Sequence, residues 1–231
     1  MKSVLGIGLA ALGCCMLAAG LRAPADPWVF RGLAEGRPHA VTVALDQRLW
    51  IAYDAATCEL FKAWRGGSGK ESEALVYQPA GAARQVWEVI EGGTARRPAV
   101  RFAGYTLGDS TVALHYELKL QDGRIVRVTE EPVYVPQKNE NRAELLRRFT
   151  VSGLPAGASL TLAVSAESML LGGDLKTNGK WASESRQKRL YEWGSIYDFE
   201  GVLQFHPSEP TTLSMTFTGD AEAESRRRGR S

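Results

Sequence analysis

The chain has 231 residues, 44% of them hydrophobic and 23% charged, so it can bury a substantial core and does not have the composition of a disordered polymer. Its formal net charge of +2 does not predict nucleic-acid binding. That small surplus depends on the arginines of the C-terminus, and we interpret residues 219–231 as a basic disordered tail.

The first 25 residues have the pattern of an export signal. Lys2 precedes an uncharged apolar run over 4–19, and small residues near 20–25 offer cleavage sites. A membrane-spanning helix needs about 20 apolar residues, so we expect cleavage, no membrane span afterwards, and a periplasmic or secreted protein. The alternative is a lipoprotein anchored through Cys14, because Gly13-Cys14 resembles the end of a lipobox.

Signal removal would also remove two of the three cysteines. Cys58 would then remain alone and could form no internal disulfide. It sits in a strand-like run without a neighbouring histidine, so we interpret it as a small buried hydrophobic residue.

The rest of the chain is a succession of short alternating runs separated by Gly, Pro, Asn and Asp. Only 139–146 offers a brief helical turn. About twelve strands without crossover helices predict an all-β fold, either an antiparallel β-sandwich, including its enlarged form, the supersandwich, or an open barrel. We favour the sandwich, as one domain over 26–218, and the alternative is a seam near 70–81. The predicted strands are 39–45, 48–54, 58–64, 74–78, 85–90, 99–107, 111–120, 124–133, 144–152, 159–165, 189–193, 199–205 and 211–218.

One hairpin can be predicted to its register. A three-residue loop, Gln121-Asp122-Gly123, pairs Leu118 with Val126 and keeps apolar side chains on one face. A two-residue loop would pair Leu118 with Arg127 and mix the faces, so we prefer the longer loop. It also places Glu117 opposite Arg127 as an outer-face ion pair.

Motifs for metals, phosphates and haem are weak or missing. The run Gly66-Gly67-Ser68-Gly69-Lys70 departs from a phosphate-binding loop, because Glu71 follows the lysine and no helix is predicted after it. The three histidines are far apart, and no Cys-x-x-Cys-His motif is present. The sequence therefore predicts no metal and no cofactor.

The outer face of the hairpin carries the polar residues His115, Glu117, Arg127 and Thr129. A solvated sheet face explains them, but His115 and Arg127 could also hydrogen-bond sugar hydroxyls. His115 and Glu117 together could act as acid and base.

Aromatic residues are the other candidates for a site, since Trp combines a large apolar surface with a polar edge. Alternation in 49–54 places Leu49, Ile51 and Tyr53 in the core and leaves Trp50 on the opposite face with Ala52 and Asp54. Trp64 shares a predicted face with Cys58, Leu60 and Lys62. Trp28, Trp50 and Trp64 are our candidate ligand-binding aromatics, ahead of Trp181 and Trp193.

Several segments share the motifs of one family, and together they span most of the mature chain. They are Asp26-Pro27-Trp28-Val29-Phe30-Arg31, Leu49-Trp50-Ile51-Ala52-Tyr53-Asp54, Leu60-Phe61-Lys62-Ala63-Trp64-Arg65-Gly66-Gly67, Gln121-Asp122-Gly123, Thr129-Glu130-Glu131-Pro132, Arg147-Arg148-Phe149 and Leu154-Pro155-Ala156-Gly157. In them the chain resembles the non-haem N-terminal region of large exported bacterial proteins that carry a c-type haem module elsewhere, often beside carbohydrate-active modules. The haem motif itself is missing here, so the resemblance implies a partner for redox or sugar-active proteins rather than a redox protein.

From these observations we expect an exported, non-catalytic β-sandwich that binds carbohydrate or docks onto a periplasmic partner, cytochrome-linked or sugar-active. The alternative is a sugar-active enzyme, mutarotase-like or lyase-like, that uses His115 and Glu117. A third hypothesis is a structural subunit of an envelope complex.

Overall fold

The computed structural model describes residues 27–34, 36–46, 49–64, 86–138, 142–168, 175–191, 194–206 and 208–218. The described residues form fifteen β-strands in three antiparallel sheets, which confirms the predicted all-β antiparallel sandwich. The proposed signal (1–25), the basic tail (219–231), the predicted strand 74–78 and the alternative seam at 70–81 lie outside the described residues, as does Trp193.

The strands are distributed over sheets of four, six and five members. The four-stranded sheet has the order β1 (Trp28–Ala34), β2 (Arg37–Asp46), β3 (Leu49–Asp54), β4 (Glu59–Trp64). The six-stranded sheet has the order β12 (Leu175–Thr177), β15 (Thr211–Thr218), β10 (Arg142–Ser152), β9 (Ile125–Pro136), β8 (Val112–Lys119), β7 (Ala99–Leu107). The five-stranded sheet has the order β13 (Lys180–Tyr191), β14 (Gly194–Gln204), β11 (Ser159–Ser168), β5 (Trp87–Glu91), β6 (Thr94–Arg96).

One face of the six-stranded sheet packs against both other sheets and forms a continuous core with them. From the four-stranded sheet, the Tyr53 hydroxyl reaches Glu130 on β9 at 2.5 Å. From the five-stranded sheet, the Trp87 ring packs 6.3 Å from that of Tyr116 and 6.2 Å from that of Phe149. Because each sheet buries alternate side chains, the opposite faces of the strands point away from this core.

The β8–β9 hairpin has the predicted register. Leu118 pairs with Val126, Tyr116 with Val128, and Glu117 lies opposite Arg127. Gly123 has φ = 88°, a left-handed value that suits glycine, and its N–H donates to the Leu120 carbonyl at 3.0 Å. The three-residue loop is therefore confirmed.

Three sequence expectations need correction. The helical turn at 139–146 was wrong over its described part, because residues 142–146 belong to β10. A bulge in β4 leaves Phe61 without a partner on β3, so Leu60 faces the core with Cys58, whereas Lys62 and Trp64 face outward. Cys58 is buried as predicted, but it lies in a turn with φ = 54° rather than in a strand.

Candidate functional site: an aromatic strip on the four-stranded sheet

Four aromatic rings lie next to one another on the outer face of the four-stranded sheet, and we call them the aromatic strip. The ring centroids of Trp28 and Phe30 are 6.1 Å apart, and those of Phe30 and Trp50 are 5.8 Å apart with the planes only 15° from parallel. Trp64 follows, with its ring centroid 6.0 Å from that of Trp50. The strip thus brings together all three tryptophans predicted from the sequence and adds Phe30.

The register of three strand pairs builds this strip. Trp28 on β1 is opposite Ala44 on β2, Ala44 is opposite Trp50 on β3, and Trp50 is opposite Trp64 on β4. Ala44 is 9% exposed, so its small side chain forms a floor beneath the flanking rings. A row of aromatic residues with a small residue between them therefore crosses the whole sheet.

The alternation predicted for β3 is confirmed and explains why Trp50 faces outward. Leu49, Ile51 and Tyr53 are fully buried on the inner face, whereas Trp50 is half-buried on the other. Trp28 is 51% exposed and Phe30 is 42% exposed, although most large hydrophobic side chains in the described parts of the chain are buried. Aromatic surface left in this way on a regular sheet is typical of a contact site.

Charged groups lie on the same outer face, beside Trp64 and further along the strands. The Arg37 guanidinium donates from Nη1 to Asp54 Oδ2 at 3.0 Å and lies 3.7 Å from Glu59 Oε2. It also covers the ring of Phe61, with 4.5 Å between Cζ and the ring centroid, and Lys62 Nζ lies 5.3 Å from the ring centroid of Trp64. The outer face thus combines stacking surfaces with hydrogen-bonding groups.

The polar residues of the hairpin lie on a different surface. His115 on β8 has its Nε2 2.8 Å from the Thr106 hydroxyl and its Nδ1 3.3 Å from the Thr129 hydroxyl. Its chain neighbours Leu114 and Tyr116 point into the core. His115 and Arg127 therefore face away from the core on the six-stranded sheet, whereas the tryptophans face away from it on the four-stranded sheet.

The structure therefore places His115 and Arg127 on a different sheet from the tryptophans with which the sequence analysis grouped them. Two sheets packed face to face lie about 10 Å apart, and the side chains between them fill the core. A small ligand on the aromatic strip cannot reach His115 or Arg127 through that layer.

Glu117, beside His115, is held in its ionised form. Arg101 donates to Glu117 Oε2 from Nε at 3.2 Å and also from Nη2, while Arg127 Nε lies 4.0 Å from the other carboxylate oxygen. The hydrogen bonds from Arg101 lower the pKa of Glu117, with a weaker contribution from Arg127. The predicted ion pair with Arg127 exists, but Arg101 is the closer partner.

A buried charged network was not anticipated from the sequence. Glu130 and Arg147 are both fully buried, and Arg147 Nε donates to Glu130 Oε1 at 2.7 Å while Nη2 donates to Oε2 at 3.1 Å. The hydroxyls of Tyr53 and Tyr116 donate to the same carboxylate at 2.5 and 2.8 Å. We call these four residues the buried network, and it joins the four-stranded sheet to the six-stranded one.

The electrostatics of the buried network favour neutral tyrosines and a charged Arg147. Burial, reinforced by the negative charge of Glu130, raises the pKa of Tyr53 and Tyr116 well above the ordinary value. Burial alone would lower the pKa of Arg147, but the attraction and hydrogen bonds of Glu130, together with the attraction of Tyr53 and Tyr116, outweigh burial and raise that pKa. Both tyrosines therefore stay protonated and donate, so the network is a structural connection rather than an acid–base pair.

A signal for this network was present in the alternation. Glu130 continues the inward positions of Val126 and Val128, and Arg147 lies between the inward residues Leu145 and Phe149. Two opposite charges at inward positions of neighbouring strands indicate a buried pair, because a single buried charge would be too costly.

The other aromatic candidate that the structure describes is Trp181, which lies on β13 of the five-stranded sheet and packs edge-on against Phe199 with 5.1 Å between ring centroids. Among the described ranges, no group of three or more His, Cys, Asp or Glu is placed to hold a metal ion. Within those same ranges no helix is long and apolar enough to cross a membrane.

Comparison with known proteins shows little similarity. No protein-family model matches the chain, and no curated protein matches it. One solved structure that aligns with the chain is 4-alpha-glucanotransferase from Thermococcus litoralis, with a TM-score of 0.45 and 9% sequence identity. The match covers 84% of this chain and 40% of the glucanotransferase chain.

Proposed function

We propose that the protein is an exported, non-catalytic β-sandwich module that binds carbohydrate on the aromatic strip. The observation that carries the proposal is the row of Trp28, Phe30, Trp50 and Trp64 along one outer sheet face. The C–H face of a sugar ring stacks on an aromatic ring, and the sugar hydroxyls hydrogen-bond to polar groups beside it.

Rigidity also favours a binding role for this surface. The rings stand on four hydrogen-bonded strands, and each tryptophan has only two side-chain torsions to fix. A ligand that stacks on them would lose little affinity to ordering of the protein. Lys62, whose Nζ lies 5.3 Å from the ring centroid of Trp64, provides a hydrogen-bond donor for hydroxyls at that end of the strip.

The second candidate, docking onto a periplasmic partner protein, rests on the position of β1. Among the described strands, β1 is at the edge of its sheet and carries the two most exposed rings of the strip, Trp28 and Phe30. An edge strand offers backbone groups for pairing with another chain. The resemblance to domains of haem-bearing exported proteins favours a cytochrome-linked or sugar-active partner.

An enzyme that uses His115 and Glu117 is the less favoured alternative. Both ring nitrogens of His115 are within hydrogen-bond distance of threonine hydroxyls. Glu117 is bound by Arg101 and has a lowered pKa, which makes it a poor proton donor at neutral pH. Sugar turnover that His115→Ala abolishes would restore this alternative.

Export is part of the proposal and rests on residues 1–25 alone. Intact-mass analysis of the protein recovered from the periplasm tests it. We expect a mature N-terminus between residues 20 and 25, whereas an acylated Cys14 would indicate the lipoprotein, and an uncleaved cytoplasmic chain would contradict export.

The binding test compares one strip tryptophan with one outside it. Tryptophan fluorescence and calorimetry would follow titration with neutral cello-, malto- and xylo-oligosaccharides. We expect saturable binding that Trp50→Ala weakens about fivefold or more, because stacking on one aromatic residue contributes of the order of 1 kcal/mol or more. Trp181→Ala is the matched control and should retain the affinity of the natural chain.

The outcomes separate the candidates. Equal affinity in both variants would place the site elsewhere. No binding to any of the three sugar series would contradict the carbohydrate proposal. If the chain then captured a periplasmic partner protein, and Trp28→Ala abolished that capture, the result would favour docking onto a protein.

A further inference from the structure

The aromatic strip continues into a cleft at the edge of the sandwich. An open cleft of about 520 Å³ lies between the start of β1 and the turn after β7, and it is lined by Pro27, Trp28, Val29, Leu107, Gly108 and Asp109. Trp28 is shared, because its ring contacts Phe30 in the strip and also forms one side of the cleft. The two features are therefore parts of one surface.

Exposed apolar surface concentrates at this place. In the described parts of the chain, the large hydrophobic side chains classed as exposed are Trp28, Phe30, Tyr105 and Leu107, at 51, 42, 37 and 52%. All four belong to β1 or β7, each an edge strand of its sheet. Arg31 of β1 lies over the rings of Phe102 and Tyr105 of β7, at 5.3 and 5.8 Å from the centroids, and so packs the two edges together. Clustering of this kind marks a contact site rather than scattered surface residues.

The cleft has one carboxylate at its rim. Asp109 lies in the turn between β7 and β8, which the Gly108 N–H closes by donating to the Thr111 carbonyl at 2.9 Å. A carboxylate can accept hydrogen bonds from two hydroxyls at once and repels another anion. This end of the surface therefore suits the hydroxyls of a neutral sugar.

The path from Trp64 through Trp50, Phe30 and Trp28 to the cleft is several rings long, with centroid steps of 6.0, 5.8 and 6.1 Å. One pyranose ring is similar in size to one indole, so a monosaccharide would cover only a fraction of the path. Building on the proposed carbohydrate binding, we infer that the ligand is a neutral oligosaccharide. Its chain lies along the aromatic strip, and its terminal sugar occupies the cleft against Leu107 and Asp109.

A length series tests the inference. Calorimetry with cello-, malto- and xylo-oligosaccharides of one to six sugars should show affinity that rises at least about tenfold from the monosaccharide to the tetrasaccharide and then levels off. Asp109→Asn and Leu107→Ser should each weaken binding of the hexasaccharide about tenfold and leave that of the disaccharide almost unchanged, because only a long chain reaches the cleft. Asp122→Asn, in the next turn of the same sheet, is the matched control and should have no effect.

The results distinguish this inference from the function on which it rests. Suppose that Trp50→Ala abolishes binding, but that the affinity depends neither on chain length nor on Asp109 and Leu107. That result would overturn the oligosaccharide inference and leave the proposed carbohydrate site intact. If none of the three series binds to the natural chain, both fail. The inference would also be overturned if Asp109→Asn weakened binding of the disaccharide as much as binding of the hexasaccharide, because the cleft would then be the whole site.

Discussion

Replacing Glu130 with glutamine tests whether the buried network holds the two sheets together. Glutamine keeps the shape of the side chain, but it removes the negative charge and turns one of the two acceptor oxygens into a donor. Arg147 and a tyrosine hydroxyl donate to each oxygen of Glu130, so either orientation of the new amide directs N–H groups at the guanidinium. Arg147 would then be a buried cation without its counter-charge.

The size of the effect follows from this geometry. Removing one partner of a buried ion pair costs about 3–5 kcal/mol, because the remaining charge is not compensated. Glu130 and Arg147 are both at 0% exposure, so solvent offers no compensation. A loss of that size is a large fraction of the ~5–15 kcal/mol by which domains are usually stable.

The adjacent residue Glu131 provides a matched control. Its carboxylate lies 3.6 Å from Arg148 on the same two strands, but on the outer face, with side chains 42 and 48% exposed. An exposed pair contributes at most about 1 kcal/mol, so Glu131→Gln should be nearly neutral. Urea unfolding followed by circular dichroism measures both variants. A difference below about 1 kcal/mol between Glu130→Gln and Glu131→Gln would refute the reasoning, because burial would then not matter.

Three further predictions concern the backbone, alkaline pH and the two faces of β3. In urea unfolding, Gly153→Ala should lower stability more than Gly123→Ala does, by about 1 kcal/mol or more. Both glycines have positive φ, but only at Gly153 would an added Cβ lie 2.7 Å from a backbone carbonyl oxygen. Folding raises the pKa of both network tyrosines, so the folded state keeps protons that the unfolded state loses, and the free energy of unfolding should fall above about pH 10. Tyr53→Phe should make that fall less steep, and an unchanged slope would contradict this assignment. Ile51→Ala should lower stability by about 2–5 kcal/mol and Trp50→Ala by clearly less, since Ile51 is fully buried and Trp50 is not.

The strands were largely predictable because one-sided burial imposes a period of two. The predicted limits of β7 and β15 agree with the structure at both ends, and the β8–β9 register followed from keeping Leu118 and Val126 on one face. The short strands β6 and β12 have three residues each, and β6 is exposed throughout, so neither carries a hydrophobic pattern long enough to recognise.

The parts that escaped prediction depend on contacts between distant segments. The strip exists only because β1 to β4 pair in chain order. The alternation of side chains within one strand does not predict that Trp28, Trp50 and Trp64 lie beside one another across the sheet. The bulge at Phe61 shifts the alternation within β4 and returns Trp64 to the face of Trp50. The sequence correctly placed His115 and Arg127 on an outer face. It could not show that the tryptophans belong to a different sheet, because that depends on how the sheets pack on one another.

Strand β3 shows how one short segment can serve both the core and the surface. Ile51 and Tyr53 point inward, where Tyr53 donates to Glu130 and so anchors the four-stranded sheet to its neighbour. Trp50 points outward between Phe30 and Trp64. Because successive side chains alternate between faces, substitutions on the outer face leave the inner anchor in place. Loss of binding in Trp50→Ala, with the cooperative unfolding transition retained, would therefore report on the aromatic strip itself and not on the fold that supports it.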